Sequence, residues 1–185
     1  STSFREVIRL QPRYPGAHAL LGNAQVEQRA FEAAAGNYRL ALELRPDDAE
    51  TLNNLGNALL ELDKPHEAID CYQHALRLQP AYCSAIQNLG IAYLNAGQPE
   101  KAEACSRQAL QLNPDNPETL TNLGSALVRQ DRAVEAVAHY RQALALKPDH
   151  AGAHFNLGNA LRAQGKFEDA INSYRKAIAI DAHHA

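Results

Sequence analysis

Asn54, Asn88, Asn122 and Asn156 follow one another at intervals of 34 residues in this 185-residue chain. Asn23, Asn57 and Asn159 form a companion series, offset by three and continued by Ile91 and Ser125. A carboxamide both donates and accepts hydrogen bonds. A row of them can pair with the main chain of an extended peptide while reading little of its sequence. Asn53, Gln87 and Thr121 stand directly before members of the first series. A second use of the same chemistry is internal, with each amide bonding the neighbouring repeat and holding the array in shape. Both uses are open at this point, and they are compatible.

Other reactive side chains form no recognisable site. The eight histidines (His18, His66, His74, His139, His150, His154, His183 and His184) make no HExxH motif. His150 and His154 are spaced to share a helix face, but no third metal ligand accompanies them. Each periodic glycine stands alone, so no phosphate-binding loop is present. No catalytic residue, metal or cofactor is therefore expected, and the histidines read as solvated or partly packed. Cys71, Cys83 and Cys105 are too few for a disulfide framework and include no CxxC pair. They are expected to be free thiols in a reducing, cytoplasmic compartment. Cys71, Cys105 and His139 share one position of the period, with no evident purpose.

Hydrophobic residues make up 45% of the chain, enough to bury a core. The net charge of −3 argues against a nucleic-acid partner. No apolar run approaches the ~18–20 residues needed to cross a bilayer. No signal-peptide pattern stands at the start, and because the first residue is Ser an upstream segment is expected to have been cut away.

The elements that carry these residues follow from the period. Pro12, Pro46, Pro80, Pro114 and Pro148 keep the step of 34, as do Gly22, Gly56, Gly90, Gly124 and Gly158. Two alanine series, from Ala34 and Ala41, keep it too. In residues 49–82, Leu52, Leu55, Leu59 and Leu62 have helical spacing. Asp63-Lys64-Pro65 ends that helix, and Pro65 suits the first position of a second one. The second helix carries Ala68, Ile69, Tyr72, Ala75 and Leu76 and must stop before Pro80. Gly56 and Ala68 are expected to face each other where the two backbones approach, with Leu55 and Tyr72 filling the space between units. No unit buries its apolar face alone, so neighbours must stack.

This pattern, Leu-Gly, then Ala, then an aromatic, then Ala and Pro over 34 residues, resembles the tetratricopeptide repeat (TPR). The resemblance implies an all-α, right-handed superhelical solenoid of antiparallel helix pairs. Residues 1–185 then form one solenoid: a partial repeat at 1–14, whose Phe4–Leu10 is a second helix, and full repeats at 15–48, 49–82, 83–116, 117–150 and 151–184. Departures from the family pattern include Ser106 in place of the tyrosine at Tyr38, Tyr72, Tyr140 and Tyr174, Gln25 at an apolar position, and Leu20 in the first asparagine series. The ends, with Ala182 where the next proline would stand, are expected to belong to an excised part of a larger protein or to be covered by another copy.

The resemblance also implies that the first helices line a concave groove. Asn23, Asn53, Asn54, Asn57, Gln87, Asn88, Thr121, Asn122, Asn156 and Asn159 then line it, and similar Asn ladders in O-GlcNAc transferases hold extended polypeptides. The cationic positions of repeat domains that grip chaperone tails are here Ala19, Asn53, Gln87, Thr121, Phe155, Gly16, Glu50, Ser84, Glu118 and Gly152. None is basic, so a chaperone-tail adaptor is not expected. The expected function is a non-catalytic protein-interaction scaffold binding a partner peptide. The alternatives are self-assembly through the ends, or the substrate-recognition region of a larger enzyme such as a glycosyltransferase.

Overall fold

The computed structural model describes residues 14–184. The helix expected at Phe4–Leu10, Pro12, and the side chains of His183 and His184 lie outside the described residues. The described residues form only α-helices joined by short turns. In the compact unit Ser1–Ala96 these are α1 (Pro15–Glu27), α2 (Phe31–Leu44), α3 (Ala49–Glu61), α4 (Pro65–Leu78) and α5 (Cys83–Asn95). In the compact unit Gly97–Ala185 they are α6 (Pro99–Leu112), α7 (Pro117–Val128), α8 (Ala133–Leu146), α9 (Ala151–Ala163) and α10 (Phe167–His184). Within each unit, consecutive helices pack against one another in antiparallel pairs, and α1 and α5 both touch α3.

Local chemistry sets the joints. Pro15, Pro65, Pro99 and Pro117 begin helices, where a missing N–H costs nothing. Asp48 and Asn116 cap α3 and α7 by accepting from the N–H of Thr51 (3.1 Å) and Thr119 (2.7 Å). Arg45, Gln79, Asn113 and Lys147, each preceding a proline, leave the helical region and end α2, α4, α6 and α8. Ala182 imposes no such stop, and α10 runs on through His184. The turn inside each pair has one geometry. Arg29, Asp63, Gly97, Asp131 and Gly165 all have φ between 57° and 75°. The next N–H reaches back over this left-handed residue, as from Lys64 to Leu59 O at 2.9 Å and from Arg132 to Leu127 O at 2.9 Å.

The core is built of Ala, Leu and Tyr. In the second unit, Leu123, Leu127, Val137, Tyr140, Leu157 and Leu161 form one buried cluster. In the first, Leu52 packs with Ala49, Ala75 and Ala85. The periodic glycine has a different reason from the one the sequence suggested. A Cβ on Gly56 would lie 2.5 Å from the ring of Tyr72, with Gly22–Tyr38, Gly124–Tyr140 and Gly158–Tyr174 alike. The tyrosine ring is what a side chain at Gly56 would meet first. Tyr72 thus packs inside its own helix pair, and the equivalent Tyr140 also shares a buried cluster with Leu157, Ala160 and Leu161 of the next repeat.

Candidate functional site

The first-helix asparagines sit on α1, α3, α5, α7 and α9, and the tyrosines of the second helices reach across to them. Tyr38 donates to Asn23 Oδ1 at 2.7 Å, Tyr72 to Asn57 Oδ1 at 2.7 Å, and Tyr174 to Asn159 Oδ1 at 2.8 Å. In the remaining pair, Ser125 Oγ lies 3.3 Å from the Tyr140 hydroxyl. Burial pushes the phenols of Tyr38 and Tyr140 up to about 12, and that of Tyr72 higher still. They stay protonated at neutral pH, so Tyr38 and Tyr72 remain donors and hold the carboxamide oxygens of Asn23 and Asn57 toward the helix pair.

The asparagines also join neighbouring repeats. In the first unit, Asn88 Nδ2 donates to Asn57 Oδ1 (2.9 Å) and to Asn53 Oδ1 (3.0 Å). Asn54 Nδ2 makes a longer contact with Asn23 Oδ1, and Asn53 Nδ2 with Asn54 Oδ1, both at 3.4 Å. In the second unit, Asn156 Nδ2 reaches Ser125 Oγ at 3.4 Å. The oxygens of Asn23 and Asn57 each accept two bonds and are saturated. Among the described residues, no partner is found for Nδ2 of Asn23, Asn57 or Asn159, nor for the half-buried Asn122. Asn57 is exposed, and Asn23 and Asn159 are half-buried.

The predicted set thus divides. Asn54, Gln87, Asn88, Asn122 and Asn156 are half-buried on the first helices. Asn53 and Thr121 are only 5% and 7% exposed. Thr121 is turned back to donate to Pro117 O at 2.8 Å. The sequence reading missed the tyrosine partners, although the spacing of 15 between Asn23 and Tyr38, Asn57 and Tyr72, and Asn159 and Tyr174 was visible. The first repeat compensates for its departures. Asn37 donates to Gln25 Oε1 at 2.9 Å and lies 3.2 Å from His18 Nδ1.

The histidines are more packed than expected. His18 and His154 are buried. Among the described residues, buried nitrogens of His139, His150 and His154 find no hydrogen-bond partner. Among the described residues, no group of three or more His, Cys, Asp or Glu is placed to hold a metal ion. Cys71, Cys83 and Cys105 are free thiols. Among the described residues, no helix is long and apolar enough to cross a membrane.

Solved structures of similar fold are TPR proteins. YrrB, described as a TPR protein with an unusual peptide-binding site, is 25% identical at a TM-score of 0.74, covering 98% of this chain and 93% of its own. MamA from Desulfovibrio magneticus RS-1 is 18% identical at a TM-score of 0.81, covering 91% and 96%. TTC0263, a thermophilic TPR protein of Thermus thermophilus, is 22% identical at a TM-score of 0.75, covering 90% and 91%. No curated protein matches the sequence. Residues 8–185 match the family described as the cilia and flagella-associated protein 70 C-terminal domain. With its helix pairs, its 34-residue period and that match, the chain belongs to this family of tetratricopeptide-repeat domains.

Proposed function

We propose that an extended segment of a partner protein lies along the first-helix face of this protein-interaction scaffold, held through its main chain. The observation that carries this is the tyrosine–asparagine pairing. With the oxygens of Asn23, Asn57 and Asn159 held by tyrosines, their amide N–H groups are left as donors for peptide carbonyls. Asn122, for which no partner is found among the described residues, and the half-buried Asn54, Asn88, Asn156 and Gln87 extend the polar surface in their respective units. The peptide-binding description of YrrB, a quarter identical over nearly the whole chain, supports the same reading.

The test changes donors without changing shape. Asn23→Asp, Asn57→Asp and Asn159→Asp keep an oxygen for each tyrosine and delete the N–H groups. Wild type and the triple variant, matched for helicity, are compared in capturing partners from the native host's lysate. Loss of a captured protein in the variant, with its binding segment then mapped by peptide array, supports the site. Undiminished capture rejects it.

A second reading, self-assembly, is favoured by one observation. Phe155, Phe167, Ile171 and Ile178 are exposed on α9 and α10. A cavity of about 600 Å³ between these helices is lined by Phe155, Tyr174, Ala177 and Ile178. Ile178→Asp would then lower the molar mass measured by light scattering, and a wild-type monomer at high concentration would exclude this reading.

A further inference from the structure

The outer grooves between successive second helices recur with the repeat, and two of them lie wholly within the second unit. One, of about 390 Å³, lies between α6 and α8 and is lined by Arg107, Leu110, Pro114, Leu120, His139 and Gln142. Its counterpart 34 residues on, of about 660 Å³, lies between α8 and α10 and includes Arg141, Leu144, Pro148, His154, Ser173 and Lys176. The floors are alike, but the charges are not. Arg107 is neutralised by Glu103 at 2.7 Å on its own helix. The residue equivalent to Glu103 before Arg141 is Val137, which is buried in the core. Lys176 replaces the neutral Gln142. Among the described residues neither Arg141 nor Lys176 joins an ion pair, both are exposed, and no Asp or Glu lines their groove. In a chain of net charge −3 this is a local excess of positive charge over an apolar floor.

His154 replaces Leu120, is 7% exposed and donates from Nε2 to the carbonyl oxygen of Pro148 at 2.9 Å, so it belongs to the wall of the groove. A fitting occupant therefore brings an apolar side chain for Leu144, Leu157 and Ile180 and a carboxylate for Arg141 and Lys176. An extended peptide with an apolar residue beside Asp or Glu brings both.

We propose that this outer groove docks an acidic, apolar peptide segment of a partner protein, as a second interaction surface distinct from the first-helix face. The probe is a fluorescein-labelled peptide alternating Glu and Leu, with a Lys-Leu control, titrated into the full chain by fluorescence anisotropy. Saturable binding of the Glu-Leu peptide alone is expected. The double variant Arg141→Glu, Lys176→Glu changes exposed residues and is checked by circular dichroism; it should bind at least about tenfold more weakly. Arg107→Gln in the neutralised groove, and the asparagine triple variant, should bind as wild type. No binding at millimolar peptide, or binding unaffected by charge reversal, overturns the proposal. So does binding that needs Arg141 and Lys176 only on phosphatidylserine vesicles, which would assign the charge to a membrane surface.

Discussion

The ring of Tyr72 lies over Gly56 so closely that a single methyl group at Gly56 would stand 2.5 Å from it. The two residues are complementary, and neither can be changed independently. Gly56→Ala should destabilise the protein by about 1–3 kcal/mol through overpacking, despite its better helix propensity. In a Tyr72→Ala background the clash is gone, and the same substitution should be neutral or stabilising by up to about 1 kcal/mol. A double-mutant cycle by urea denaturation reads the difference, and additive effects would show that the ring moves aside freely.

The left-handed turn residues make a second case. Asp63 and Asp131 occupy a conformation that Gly97 and Gly165 adopt without a Cβ penalty. Asp63→Gly or Asp131→Gly should stabilise by about 0.5–1 kcal/mol, and Gly165→Ala should destabilise by about 1 kcal/mol. Thermal melts of the single variants check both signs.

The buried phenols set the alkaline limit. The folded pKa values of Tyr38 and Tyr140 are raised to about 12, against about 10 in an unfolded chain. Folding therefore disfavours the phenolates. This stabilisation is complete below pH ~10 and is lost as pH rises toward 12. Phenolate absorbance should appear together with loss of helicity, whereas freely titrating tyrosines would ionise before unfolding.

Thiol reactivity follows the same cause. Burial pushes Cys71 and Cys105 up to about 11. At neutral pH both should react with iodoacetamide on the order of a hundredfold more slowly than an ordinary cysteine, accelerating as pH approaches 11. Peptide mass mapping after timed alkylation separates the sites.

Glu103 is an acidic counterpart. Burial raises the carboxyl, but hydrogen bonds from Arg107, Gln130 and Arg132 outweigh it and hold it below the usual range. Its contribution is present above the ordinary carboxylate pKa and lost as pH falls through the folded value. Glu103→Ala should cost about 1–2 kcal/mol at pH 7 and much less in acid, measured by urea melts at both pH values.

Helix pairs and their stops were legible because they rest on local rules. Proline fixes both where α4 begins and where it ends, and the leucine spacing marks the buried face of α3. The role of Gly56 was not legible, because its neighbour is a ring 16 residues away on another helix. The carboxamide series was plain in the sequence, but the orientation of each amide was not. That depends on a tyrosine hydroxyl across the helix pair, as at Asn57, and on which repeat an Asn88 reaches back to. The outer groove was hidden for a similar reason. Its charge depends on Val137 standing where a glutamate neutralises the preceding repeat, which shows only when repeats are compared in space.

Within each unit, every helix touches only helices one or two places away in the chain. Among the described residues of each unit, no contact clasps distant helices together, so each unit resists tension one joint at a time. Pulled from its ends, it should lengthen in steps, each freed pair of 34 residues releasing roughly 110–120 Å of extended chain. It should rewind pair by pair when the load falls, behaving as a spring with countable coils.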